Sequence, residues 1–185
     1  MAQYYLMSQL PSLDGVSENM PLPITEERFS ELCRSFLGKK AQREVAELTL
    51  TPPIEGTNSA SALIDAWNDG ERDLRLALAK IRADKLKKHF DSDTRQFPVD
   101  LLRVANTAVE MDDPLEAEKF LDSYRLTFLE TLRPMDTFSD DSVFYYGLKL
   151  KLLLRMRRFD TESGKTAYRN IYTSIINGDR LEDIQ

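Results

Sequence analysis

The stretch whose reading decides the fold is Asp113-Pro114-Leu115-Glu116-Ala117-Glu118-Lys119-Phe120-Leu121-Asp122-Ser123-Tyr124-Arg125-Leu126-Thr127-Phe128-Leu129-Glu130-Thr131-Leu132. Its start is marked. Asp113 is a capping residue, Pro114 suits a first helical turn whose N–H has no partner anyway, and Glu116 and Glu118 put negative charge at the positive end of the dipole. Stepped round at about 100° per residue, Ala117, Phe120, Leu121, Tyr124, Phe128 and Leu132 form one broad apolar face. Leu115, Leu126 and Leu129 form a second, smaller one. Glu118, Asp122 and Arg125 fall in the gap between the two, while Glu116, Lys119, Ser123 and Glu130 face away. A surface helix carries one apolar stripe. Two stripes predict a helix wedged between neighbours, with an acid–base trio where they meet.

Downstream, Pro134 to Ser142 is a turn rich in acid (Asp136, Asp140, Asp141), and 143–159 is a second strong helix. Tyr145, Leu148, Leu152, Met156 and Phe159 make its core face, with Tyr146 and Leu153 at the edge. Lys149 projects within that face, where an ammonium must reach solvent or find an acid. The expected acid is Glu118 or Asp122 of the first helix. Lys151, Arg155 and Arg158 line one flank at spacings of four and three. That flank is either a solvated face or a contact for an acidic partner. Asp160 to Ser163 reverses the chain, and a last helix over 164–177 has Tyr168, Ile171, Tyr172 and Ile175 on one face. Asn177-Gly178 stops it.

Upstream, residues 4–10 read as a short strand or a short helix, and 12–23 as a loop. Thr25 caps a helix with Phe29, Leu32, Cys33 and Phe36 inward, ended by Gly38. A weaker helix covers 41–48. Thr51-Pro52-Pro53-Ile54-Glu55-Gly56-Thr57-Asn58-Ser59 is the clearest break, a loop or the boundary between two lobes of a single domain. A long helix over 60–88 carries Leu63, Ile64, Trp67, Leu74, Leu78 and Ile81 on one face, with Arg75 and Arg82 at its edge and a bend expected at Gly70. Residues 99–111 form another helix. The fold class expected is all-α, a bundle of six or seven helices with little or no sheet.

Composition sets limits. The 185 residues carry 25 Lys and Arg against 31 Asp and Glu, a net charge of −6, which argues against general nucleic-acid binding. No run of about 18 apolar residues suits a membrane span. The first eleven residues lack the basic start and apolar run of a secretory signal, so a cytoplasmic location is expected. Cys33 is the only cysteine and His89 the only histidine. An intramolecular disulfide and a histidine-rich metal site are therefore excluded. Ser163-Gly164-Lys165-Thr166 imitates the end of a P-loop, but Phe159 stands where its first glycine belongs and a helix precedes it. Glu118 and Asp122, four apart, could hold a divalent ion, but Arg125 and Lys149 favour ion pairing. No catalytic, cofactor or metal residue is assigned. An enzyme would need Glu118, Asp122, Arg125 and Lys149 to line one open pocket.

Three stretches resemble a known family: residues 4–13, residues 71–86, and the pattern Asp113-Pro114-Leu115-Glu116-Ala117-Glu118 through Leu121-Asp122 to Leu148-Lys149-Leu150-Lys151-Leu152-Leu153-Leu154 and Phe159-Asp160. They look like an uncharacterised bacterial domain family associated with V/A-type ATPases. That family is in turn similar to the funnel-like helical socket of the V-type ATP synthase, which sits on the rotor ring and receives the end of the central shaft. The resemblance implies an all-helical, non-catalytic protein that couples the central shaft to the membrane rotor through protein contacts. Its partners would be shaft and rotor proteins of the V-type ATPase, and its place peripheral to the inner membrane, without nucleic acid or direct membrane insertion. Lys151, Arg155 and Arg158 are then the first contact candidates. The alternative is a free-standing helical adaptor or regulator.

Overall fold

The computed structural model describes residues 2–16, 20–53, 59, 61–90, 96–158 and 164–173. The described residues form helices, turns and irregular connections, without strand. The helices are α1 (Ala2–Gln9), α2 (Glu26–Phe36), α3 (Lys39–Glu47), α4 (Ala62–Lys85), α5 (Val99–Glu110), α6 (Pro114–Thr131) and α7 (Asp140–Arg157). An eighth, α8, covers 164–173. The undecided segment 4–10 is therefore helical as far as Gln9. The continuation to Asn177 and the positions of Phe159 and Ile175 lie outside the described residues.

Side-chain caps set several helix starts. Thr25 Oγ1 accepts from Arg28 N at 3.2 Å, Asp113 Oδ1 from Leu115 N at 2.8 Å, and Ser139 Oγ from Ser142 N at 3.2 Å. The last of these starts α7 at Asp140, three residues earlier than periodicity places it, because the Asp140-Asp141 pair belongs to the first turn. Ser61 Oγ caps α4 and also donates to Asp141 Oδ1 at 2.6 Å, which ties the starts of α4 and α7 together. Gly38 does not close α2. It is the N-cap residue of α3, with an extended backbone.

The helix buried all round is α7, not α6. From Ser142 to Leu153 every residue except Lys151 is buried, including both faces of the helix, and α1, α2, α3, α4 and α6 all pack on it. A helix apolar all round belongs in the interior. Gly147 lets this packing close: a Cβ there would stand 2.9 Å from Leu48 Cδ1 and 3.2 Å from Phe29 Cε1.

The apolar side chains form two cores. One gathers α1, α2, α3, α7, the first half of α4 (Leu63, Ile64, Trp67) and the second half of α6 with its C-cap residue (Phe128, Leu129, Leu132). The other joins the second half of α4 (Leu74, Ala77, Leu78), α5 (Leu101, Ala105, Ala108) and the first half of α6 (Phe120, Leu121, Tyr124). Leu48 and Leu63, on either side of the 51–59 break, share the first core. The cores therefore part within α4 and α6 and not at that loop. The two-stripe reading of α6 needs the same adjustment, since its apolar residues divide mainly along the helix rather than around it.

Gly70 marks close packing, not a bend, and α4 runs through it as one helix. The ring of Phe128 lies over it, so that a Cβ at position 70 would meet Phe128 Cε1 and Cζ at 2.3 Å. The same ring stacks on Trp67, centroids 6.1 Å apart. Close approach of this kind is one use of a glycine inside a helix.

Candidate functional site

Where the two cores part, α4 and α6 place charge in the interior. Glu71 follows Trp67 by four residues and precedes Leu74 by three, so it stands in the buried stripe of α4. Asp122 and Arg125 stand three apart on α6 and face it. Glu71 is 2%, Asp122 0% and Arg125 5% exposed. The Arg125 guanidinium donates from Nε to Glu71 Oε2 at 2.9 Å, from Nη2 to Glu71 Oε1 at 3.2 Å and from Nη1 to Asp122 Oδ1 at 2.9 Å. This forked geometry is what a planar guanidinium supplies and an ammonium cannot.

Two further arginines complete the cluster from its edges. Arg75 Nε donates to Glu71 Oε1 at 2.9 Å. Arg155, from α7, reaches Glu118 Oε2 at 2.8 Å and Asp122 Oδ1 at 3.3 Å. The cluster is thus three arginines against Glu71, Asp122 and Glu118, which is neutral. Burial pushes the Asp122 carboxyl above its usual range, and Arg155 and Arg125 only partly draw it back. Asp122 Oδ2 has no hydrogen-bond partner among the described residues. Burial alone would lower Arg125, but its bonds to Glu71 and Asp122 hold it above the ordinary guanidinium value.

Lys149 is not part of this cluster, which corrects the expected pairing with Glu118 or Asp122. Its amine donates to Asp14 Oδ1 at 2.5 Å and to Glu130 Oε1 at 2.6 Å. The long stem carries the charge past the core to the surface rim, where a loop carboxylate and the outward-facing acid of α6 meet it. Burial would lower the amine, but the bonds to Asp14 and Glu130 raise it. Conversely the bond from Lys149 lowers Asp14, and it overcomes the upward push of burial on Glu130.

The basic flank of α7 is not an open stripe either. Lys151 pairs with Glu26 of α2, and Arg155 is held by Glu118 and Asp122. Spacings of four and three do put Lys151, Arg155 and Arg158 along one side, but that side meets acids from α2 and α6. Arg158 is the exposed member.

The four residues of the acid–base reading do not line one pocket. Glu118 borders a cleft of about 400 Å³ with Arg82 and Leu121, whereas Lys149 borders one of about 140 Å³ with Asp14 and Tyr145. Asp122 and Arg125 are packed shut. Glu118 and Asp122, the divalent-ion pair of the sequence, meet Arg155, and Asp122 meets Arg125 as well. Among the described residues no group of three or more His, Cys, Asp or Glu converges to hold a metal. Cys33 is buried, and burial pushes its thiol up to about 12, far from a reactive thiolate. No described helix is long and apolar enough to cross a membrane.

Among known proteins, a family model described as a protein of unknown function, DUF2764, matches residues 92–179. That span is 88 of the 185 residues. No curated protein matches, and no solved structure does. The matched span is similar to that uncharacterised family over α5, α6, α7 and the described part of α8. It holds Glu118, Asp122, Arg125 and Arg155 of the charge cluster, while Glu71 and Arg75 precede it.

Proposed function

We propose that this chain is a helical, non-catalytic component of a V/A-type ATPase or ATP synthase, and that it acts by protein–protein contact between central shaft and membrane rotor. The observation that supports a contact-based role is the internal commitment of its charge. Glu118, Asp122, Arg125 and Lys149 are consumed in bracing helices against one another, at two separate places, and do not converge on a shared pocket. The assignment to the ATPase rests on the resemblance of residues 4–13, 71–86 and 113–160. With Lys151 and Arg155 engaged inside the fold, the contact surface is sought elsewhere than on the basic flank of α7. A free-standing helical adaptor is the competing role.

Affinity isolation of the tagged native protein separates the two. Under conditions that keep the ATPase assembled, shaft, rotor or catalytic-head proteins are expected with it. Their absence in an isolate that still contains other stable partners would favour the adaptor.

A further inference from the structure

Two exposed aromatic surfaces of opposite charge lie on this chain. The first sits at the start of α7. Tyr4 and Tyr5 stand on the outer side of α1, Met135 and Phe138 protrude from the turn before α7, and all four are exposed. The rings of Tyr4 and Phe138 pack with centroids 5.0 Å apart. Gln3 Nε2 donates to Asp140 Oδ1 at 3.0 Å, so α1 and the first turn of α7 present one continuous surface. Residues 134–141 contain Asp136, Asp140 and Asp141 and no lysine or arginine, and α1 carries no charged side chain.

The second surface is α8. Each of residues 164–173 is exposed. Tyr168, Ile171 and Tyr172 share a face by their spacing of three and four, and the rings of Tyr168 and Tyr172 stack at 6.1 Å with 16° between planes. Arg169 adjoins that face, and residues 164–173 contain no acid. It follows α7 in the chain, a helix of 18 residues and about 27 Å.

We propose that each surface is the occupant of the other on a second copy of the chain. In this contact α8 of one copy lies across Tyr4, Tyr5 and Phe138 of the next, with Arg169 against Asp136 and Asp140. Tyrosine and arginine are the residue types that interfaces favour, and an arginine over tyrosine or phenylalanine rings adds a cation–π attraction. Because the two patches differ, the contact is heterologous and adds copies head to tail. A ten-residue helix covers less than a standard interface, so the association is weak and salt-sensitive. This inference does not depend on the ATPase reading.

Sedimentation of the full chain, from about 1 to about 500 µM in low salt, tests it over the range expected for a small interface. The expected mass rises with concentration above the 21.3 kDa of one chain without stopping at two copies, and falls back on adding salt. A Tyr168→Ser, Arg169→Glu variant and a Tyr4→Ser, Phe138→Ser variant, each checked for native helix content, should both stay monomeric. Mixed, they should give a complex of two chains and no more, because one intact patch of each kind remains. A wild type that stays monomeric throughout would overturn the proposal. So would self-association of either variant, or a mixture that does not pair. Capture of α8 by anionic phospholipid vesicles with no self-association would overturn it in favour of a membrane surface.

Discussion

Arg125 and Lys149 are both cations set among packed helices, and each is hydrogen-bonded to two carboxylates. They are otherwise different structures. Arg125 and its partners Glu71 and Asp122 lie wholly inside, between the two cores. Lys149 is 8% exposed, but the side chains of its partners Asp14 and Glu130 are 56% and 41% exposed. The interior site uses the residue whose planar fork satisfies two acids at fixed angles, and the rim site uses the residue whose flexible stem delivers a charge to water. The first costs desolvation and fixes how α4 and α6 meet. The second lets a lysine occupy an interior helix with little desolvation of its acids.

Breaking the interior site should have the largest effect. Arg125→Met leaves Glu71 and Asp122 with an unmatched buried charge, and about 3–5 kcal/mol of unfolding free energy should be lost in urea titration. Arg125→Lys should recover only a minor part, since it restores charge without the fork. Equal stability of Arg125→Met and wild type would place the cluster outside the structural frame.

Next in size is Gly70→Ala, at the same junction. The new methyl group meets the Phe128 ring at 2.3 Å, and overpacking of this kind costs about 1–3 kcal/mol. Adding Phe128→Leu should make Gly70→Ala less costly than it is in the wild-type background, as a double-mutant cycle would reveal.

The rim should yield less. Lys149→Met removes the shared partner of two acids that water can still reach, for about 1–2 kcal/mol near neutral pH. Here pH sharpens the contrast. Asp14 and Glu130 are lowered from 3.8 and 4.5 in the folded protein, so their contribution is complete above those values and is lost as pH falls through the lower folded ones. Asp122 is raised above 3.8. Its effect has the opposite sign: it favours the fold in acid, and that benefit disappears as pH rises through the raised value. Stability curves of Lys149→Met should therefore fall less steeply below about pH 5 than those of wild type. An unchanged slope would mean that the lysine does not hold these acids. Smallest of all, Arg158→Ala, on the exposed end of the basic flank, should shift stability by less than about 0.5 kcal/mol.

Most of the helix pattern is legible in the residues, because caps such as Thr25 and Asp113 and apolar spacings act locally. The charge trio of α6 is legible too, as polar residues between apolar ones. Its partner Glu71 is detectable by the same test that singles out Lys149: a charged residue at an interior position of an apolar stripe, here between Trp67 and Leu74. The partners of Lys149 are not detectable in this way. Asp14 lies in a loop without periodicity, and Glu130 reads as facing away on its own helix. The central place of α7 is hidden because Lys149 and Lys151 interrupt its apolar run, although their charges are delivered to acids at its edges. Gly70 reads as a bend because a close-packed glycine and a hinge look alike until Phe128 is placed.

The central claim is that the buried charges join α4 to α6 as a brace, and a double-mutant cycle between Glu71 and Arg125 tests it most directly. Unfolding free energies of Glu71→Ala, Arg125→Ala and the double variant give their coupling without assigning the whole loss to either residue. A coupling of about 1.5–3 kcal/mol is predicted, with the double variant much less destabilised than the sum of the single ones. Simple additivity would contradict the account.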